Sequence, residues 1–163
     1  HRQYHQLIDV SADDLRIVVR EGLINSVITK DGLVGYITEI APTYSKVTTV
    51  LSPNLKAGGT DSRTGDSGVV SGRGDLSAKN QCYLYNLQRN CAVSIDDYIV
   101  TAGGGVFPKG LVVGKVLSLK QQTKDASLYA IVQTEVDFDN LREIMVITYF
   151  SGQGMAEING DKK

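Results

Sequence analysis

The sequence predicts an all-β protein, built as small barrels or a sandwich. Three observations carry that expectation. Val, Ile and Thr supply a quarter of the 163 residues, and such residues suit half-buried pleated surfaces. They gather in short runs. Turns rich in Gly, Asn, Asp and Ser separate the runs at intervals of about 8 to 12 residues, the spacing typical of barrel and sandwich strands.

In chain order, the runs 6–10, 15–19, 24–29, 33–41 and 46–51 read as strands before residue 57. The runs 68–72, 81–86, 97–102, 111–119, 127–136 and 143–149 read as strands after it. Lys30-Asp31-Gly32 marks a hairpin, because glycine accepts the positive φ that a tight turn demands. Helical evidence is thin. Ser11-Ala12-Asp13-Asp14 has capping-box spacing, and Asp137 to Leu141 suits a single turn, but neither leads into a stripe of 3.6-residue period. The segment 52–74 is rich in Ser, Gly, Asn, Asp and Thr and reads as the crossing between two halves. No internal repeat stands out.

Composition removes several function classes. With 17 Lys and Arg against 18 Asp and Glu, the formal net charge is -1. There is no basic stripe interleaved with aromatics, so the footprint needed to hold a phosphate backbone is missing and nucleic acid is not an expected partner. No apolar run approaches the roughly 20 residues that cross a bilayer, and no signal peptide opens the chain. The chain starts abruptly at His1 and reads as a soluble piece of something longer and anchored.

Residues 65–75, GDSGVVSGRGD, hold two familiar short strings. GDSG is the nucleophile signature of trypsin-like proteases, and RGD is the integrin-recognition tripeptide. A serine hydroxyl is a poor nucleophile without a base in hydrogen-bond reach. The only histidines are His1 and His5, both at a terminus, and Ser67 lies in the first half of a short chain. Asp66-Ser67-Gly68 therefore reads as a turn into the strand at Val69-Val70, and Gly72-Arg73-Gly74-Asp75 as ordinary turn composition. No catalytic, cofactor-binding or metal-ligating residue is expected. Cys82 and Cys91 show no Cys-x-x-Cys or histidine partner, so two unpaired thiols are favoured over a bond closing a loop of about ten residues.

Longer motifs say more. Residues 101–116, TAGGGVFPKGLVVGKV, closely resemble the glycine-rich signature of the MreC family of rod-shape-determining proteins, typically TSGxGGxFPxGLPVGxV. Residues 26–39, SVITKDGLVGYITE, are similar to that family's upstream segment, and Gly68 to Gly72 to its strand start. Residues 136–147, VDFDNLREIMVI, are similar to its closing segment. The matches run in family order over roughly 24–149. Val112 stands where the family has proline, and Ala102 where it has serine.

The residues of the 101–116 segment also have a direct physical reading. A strand at Ile99-Val100 is followed by Gly103, Gly104 and Gly105, an apolar anchor at Phe107, a fixed φ at Pro108, a turn at Gly110, and a strand resuming from Leu111. Phe107 is expected in the core, the alternative being a ring that faces a partner. Since the glycines open a strand and not a helix, they do not form a phosphate cradle.

The resemblance implies two small six-stranded β-barrels arranged like those of chymotrypsin-type proteases, without a working triad. It sets the first barrel at 1–56 with a later strand borrowed into it, the second at 57–150, and a mobile tail at 151–163. Gly32, Gly35, Gly103, Gly104, Gly105, Phe107, Pro108, Gly110 and Gly114 are its structural residues. It further implies a non-enzymatic, cofactor-free scaffold for cell shape and peptidoglycan elongation, placed outside the cytoplasmic membrane by an N-terminal helix that precedes His1. Expected partners are a penicillin-binding transpeptidase, other elongation proteins and further copies of the chain. The alternative is a catalytically dead hydrolase-like module that binds peptide or glycan. Charge is sparse from Tyr98 to Leu119, with only Lys109 and Lys115, so the docking surface is expected there, on Val112, Val113 and Lys115.

Overall fold

The structure is a computed structural model and describes residues 3–6 and 26–149. Eleven strands form two sheets. Strands β1 (Gln3–Gln6), β2 (Ser26–Ile28), β3 (Leu33–Ile40), β4 (Ser45–Thr49) and β11 (Met145–Tyr149) make an open five-stranded sheet in the order β1-β11-β2-β3-β4. Strands β5 (Ala57–Asp61), β6 (Ser67–Ser71), β7 (Gln81–Leu87), β8 (Tyr98–Thr101), β9 (Val112–Gln121) and β10 (Leu128–Thr134) close into a six-stranded barrel in the order β10-β7-β6-β5-β8-β9. All pairings are antiparallel. A one-turn helix α1 (Gly74–Ser77) and a 3-10 turn (Phe138–Asn140) complete the described chain.

One of the two halves expected as six-stranded barrels is thus a closed barrel, and the other is an open sheet among the described residues. The chain enters the sheet twice, since β11 returns from the barrel to lie between β1 and β2. The strand expected at 15–19, the capping-box turn at Ser11 to Asp14 and the tail at 151–163 lie outside the described residues. So does the 6–10 strand beyond Gln6, where β1 ends.

Strand β5 lies in the segment read as the crossing between two halves, where the only expected strand is 68–72. Its sequence, AGGTD, has little intrinsic strand preference, and the barrel interior decides the matter. A Cβ on Gly59 meets Val70 Cγ2 at 2.6 Å and Leu84 Cδ1 at 3.0 Å, so only glycine lets this strand close against its neighbours.

The main core runs through both halves. Ile28, Leu33, Val50 and Ile147 pack with barrel residues Leu55, Val70, Leu84, Leu87, Ile99, Val113, Val116 and Val132. A smaller cluster of Val27, Val34, Ile37, Val136 and Val146 underlies the open sheet. At the hairpin expected around Lys30, the Thr29 N–H donates to the Gly32 carbonyl at 2.9 Å. Gly32 lies so close to the Val112 carbonyl of β9 that no Cβ fits between them, and the sheet rests on the barrel at that point.

Candidate docking surface

The serine of GDSG has no chemistry to perform. Ser67 Oγ is exposed at the start of β6, and its neighbours are Thr60 Oγ1 and the Gly65 carbonyl, both at 3.4 Å. His5 sits on β1 of the other sheet. Asp66 is occupied locally, accepting the Thr64 hydroxyl at 2.7 Å and the Ala92 N–H at 2.8 Å. The string is a knot of turn hydrogen bonds that fastens the 62–66 turn to the 92–97 segment. Among the described residues no cluster of His, Cys, Asp or Glu has metal-ligand geometry.

RGD is equally self-contained. Arg73 Nε and Nη2 donate to the two Asp75 oxygens at 2.6 and 2.9 Å, which holds the Asp75 carboxyl below its usual range. The Arg73 guanidinium also lies over the rings of Tyr83 and Tyr129, at 5.3 and 5.4 Å. The two charges are thus paired with each other, although the Asp75 side chain is 62% exposed.

The 101–111 loop is a tied corner. The Thr101 hydroxyl donates to the Pro108 carbonyl at 2.6 Å and accepts the Leu111 N–H at 2.8 Å, while the Gly110 N–H reaches the Thr101 carbonyl at 2.9 Å. Gly103, Gly104 and Gly110 have φ of 80°, 77° and 88°, the left-handed region that makes this path a glycine path. Gly105 faces open space, and Pro108 is buried. The corner drives Phe107 inward, where its ring meets Tyr36 of β3 edge-on at 5.9 Å and pins the barrel to the sheet. Gly35 and Gly114, mid-strand, lie against the carbonyls of Thr48 and Gln133.

The residues expected to face a partner are divided by two bulges in β9. Against β8 the register steps from Ile99↔Gly114 to Val100↔Val112, leaving Val113 as the extra residue. Val113 is fully buried, which corrects its assignment to the outer face. Against β10 the register steps from Val132↔Val116 to Ile131↔Ser118, and the extra residue is Leu117, which is 41% exposed. Val112 is half-buried beneath Gly32. Lys115 is opposite Tyr98, its Nζ 5.1 Å from the ring centroid.

Around Leu117 lies the apolar surface that the sequence reading missed in part. The Asp96 N–H donates to the Val116 carbonyl at 2.9 Å, and Ile95 and Leu117 come next along each chain from that bond. Ile95 is 61% exposed and Tyr98 41% exposed. Tyr98 of β8 is opposite Lys115 of β9, and Ile95, just before β8, and Leu117, on β9, are exposed apolar residues on either side of the Asp96–Val116 bond. Ile95 was hidden from sequence reasoning because it precedes the strand. Its only signal is an apolar residue flanked by Ser94, Asp96 and Asp97.

The fold defines a β-barrel module with an open companion sheet. The family model described as the barrel core of rod shape-determining protein MreC matches residues 19–148, and the chain belongs to that family, whose members are cell-shape proteins and not enzymes. MreC of Pseudomonas aeruginosa is similar at a TM-score of 0.67 and 19% identity over 89% of this chain and 88% of that one. MreC of Listeria monocytogenes is similar at 0.66 and 20% identity over 76% of this chain, which spans only 60% of its length. A complex between the penicillin-binding protein PBP2 and MreC from Helicobacter pylori contains a chain similar at 0.61 and 14% identity, over 76% of both chains. No curated protein matches the sequence.

Proposed function

We propose that this domain is an extracytoplasmic scaffold of cell-wall elongation, which docks a penicillin-binding transpeptidase and further copies of itself. The observation that carries the reading is the exposed patch of Ile95, Tyr98 and Leu117 beside Lys115, on a chain of a cell-shape family. Support for the partner class comes from the Helicobacter pylori relative, which is in complex with PBP2. Among the described residues no helix is long and apolar enough to cross a membrane. The two-barrel division sets residues 1–56, with β11 as the borrowed later strand, against residues 57–150, the open sheet standing for the first unit. Among the described residues strand β4 is an edge of that sheet, and it is a candidate strand for self-association.

Leu117→Glu tests the patch. Immobilised domain is titrated with the purified transpeptidase of the same organism, and self-association is followed by sedimentation, with circular dichroism to verify the fold. The expected result is at least about a tenfold loss of transpeptidase affinity, as for a charge placed in a desolvated contact. Unchanged binding and self-association for Leu117→Glu, Tyr98→Glu and Ile95→Glu alike place the docking surface elsewhere and overturn the reading.

A further inference from the structure

Asp61 ends β5 beneath the 62–66 turn with only 1% of its surface exposed. Its Oδ1 accepts the backbone N–H of Arg63 at 2.8 Å and of Thr64 at 3.1 Å. Its Oδ2 is the only buried side-chain polar atom among the described residues without a hydrogen-bond partner. A bare carboxylate oxygen shut off from water is costly, and such an atom calls for an explanation.

Asp97 lies beside it: Asp61 is opposite Ile99 in the β5–β8 ladder, the Ser62 N–H donates to the Tyr98 carbonyl at 2.9 Å, and Arg63 bonds both aspartates, Asp61 through its backbone N–H and Asp97 through its guanidinium. Asp97 is itself supplied with donors: Oδ1 takes Arg63 Nε at 2.8 Å, while Oδ2 takes Arg63 Nη2 and the Ser94 N–H, each at 2.8 Å. Arg63 and Ser94 thereby fix Asp97 as the anion, holding its carboxyl far below the ordinary range. Arg63 Nη2 is spent further on the Ala92 carbonyl at 2.9 Å and the Ser94 hydroxyl at 3.2 Å. The other charged group of this turn, Asp66, is engaged by Thr64 and Ala92. Strand β8 places the uncharged Ile99 opposite Asp61, and the β5–β6 ladder ends one residue earlier at Thr60 and Ser67.

We propose that Asp61 carries a proton on Oδ2 and donates it to Asp97, and that this shared proton is a pH-sensitive latch on the 92–98 segment. The proton converts the orphan oxygen into a donor aimed at the one acceptor beside it. Two adjacent buried carboxyls do not both ionise, and Arg63 decides which of them keeps the charge. Burial first, and then Asp97, raise the Asp61 carboxyl above its ordinary value. Folded Asp61 therefore holds a proton that the unfolded chain, titrating near 3.8, has released. The latch contributes in full below that value and is lost as pH rises through the folded pKa. Asp97 runs the other way, contributing above its unfolded pKa and failing only in stronger acid. Once Asp61 ionises, a second negative charge competes for Arg63, and the segment that presents Ile95 and Tyr98 loosens. The shared proton stands by itself; only its effect on docking rests on the reading of those residues as the partner surface.

Carbon-13 NMR of the aspartate side-chain carboxyls tests it directly, with Asp61→Asn to assign the resonance. The Asp61 carboxyl is expected to titrate above the value of an ordinary aspartate. Urea stability of the wild type, taken as a difference from Asp61→Asn, is expected to fall with pH by up to about tenfold in the folding constant per pH unit across the window. The carboxamide donates the same hydrogen bond and does not titrate. Amide exchange at residues 92–98 is expected to quicken with pH in the wild type and not in the variant. An Asp61 resonance that titrates at or below the ordinary value overturns the shared proton, and it does so in the wild type even if the variant fails to fold. Identical pH profiles for the two proteins, or exchange at 92–98 indifferent to pH, overturn the latch. All these readouts use the chain alone, so a failed docking reading leaves them untouched.

Discussion

Replacing Phe107 with alanine asks whether the corner that carries it joins the two halves. The ring is 7% exposed in the shared core and edge-on to Tyr36, with planes at 76°. Phe→Ala in a core costs about 3–5 kcal/mol, the transfer of the lost atoms plus the cavity left behind. Of this, the edge-to-face pair accounts for about 0.5–1.5 kcal/mol. The glycines at 103, 104, 105 and 110 let the corner collapse partly into the void, which sets the expected loss near about 3 kcal/mol. For a domain of this size, that corresponds to a fall of about 6–12 °C in Tm. Urea titration at constant m value measures the loss, and a double-mutant cycle with Tyr36→Leu isolates the ring pair. A loss below about 1 kcal/mol, or no coupling between the two sites, refutes the joining role. Weakened transpeptidase binding with stability intact returns Phe107 to the partner-facing alternative.

Ser67→Ala is expected to change stability by less than about 1 kcal/mol and to leave binding untouched, because the hydroxyl meets only turn oxygens; labelling of Ser67 by a fluorophosphonate contradicts this. Gly59→Val drives a side chain into Val70 and Leu84 and is expected to cost about 1–3 kcal/mol or more, read by thermal melting. A neutral effect there means that β5 is not closed into the barrel. Burial pushes the Cys82 thiol up to about 12, so at neutral pH iodoacetamide is expected to modify the less buried Cys91 first and Cys82 only on unfolding. Equal rates in the native protein show that β7 opens readily.

Short β-branched runs and turn chemistry made most strands legible. The runs at 33–41, 81–86 and 127–136 sit within a few residues of β3, β7 and β10; of these only β7 comes near alternation, while β3 and β10 each bury three successive residues. The turn at 137–141 was visible from its aspartates, and Asp137 does cap the Asp139 N–H. Strand β5 was illegible for the opposite reason: two glycines carry no side-chain pattern, and what makes them a strand is the space left by Val70 and Leu84, residues distant in sequence. The Asp61–Asp97 contact spans the same kind of distance. Asp61 lay in the segment read as a crossing, and Asp97 opened the run read as a strand at 97–102.

The division of Val113 and Leu117 is the instructive failure, and it bears on function. Successive apolar residues in a small barrel must split between its two faces, so the run from Leu111 to Leu119 announced that some side chains point outward. Strict alternation from Val112 does not assign them, since each bulge adds a residue and reverses the count beyond it. The bulge at Val113 keeps it and Gly114 both buried, and the bulge at Leu117 leaves that side chain out beside Tyr98 and Ile95. An extra residue in a ladder strands backbone groups and is retained where it re-aims a side chain usefully. Removing the second bulge by deletion of Leu117 therefore restores a regular β9–β10 ladder. It is expected to leave the barrel folded, as judged by circular dichroism, and to remove transpeptidase binding as fully as Leu117→Glu. Binding that survives in a folded deletion variant shows that the bulge serves barrel curvature alone, and with it the argument that this strand is shaped for a partner falls.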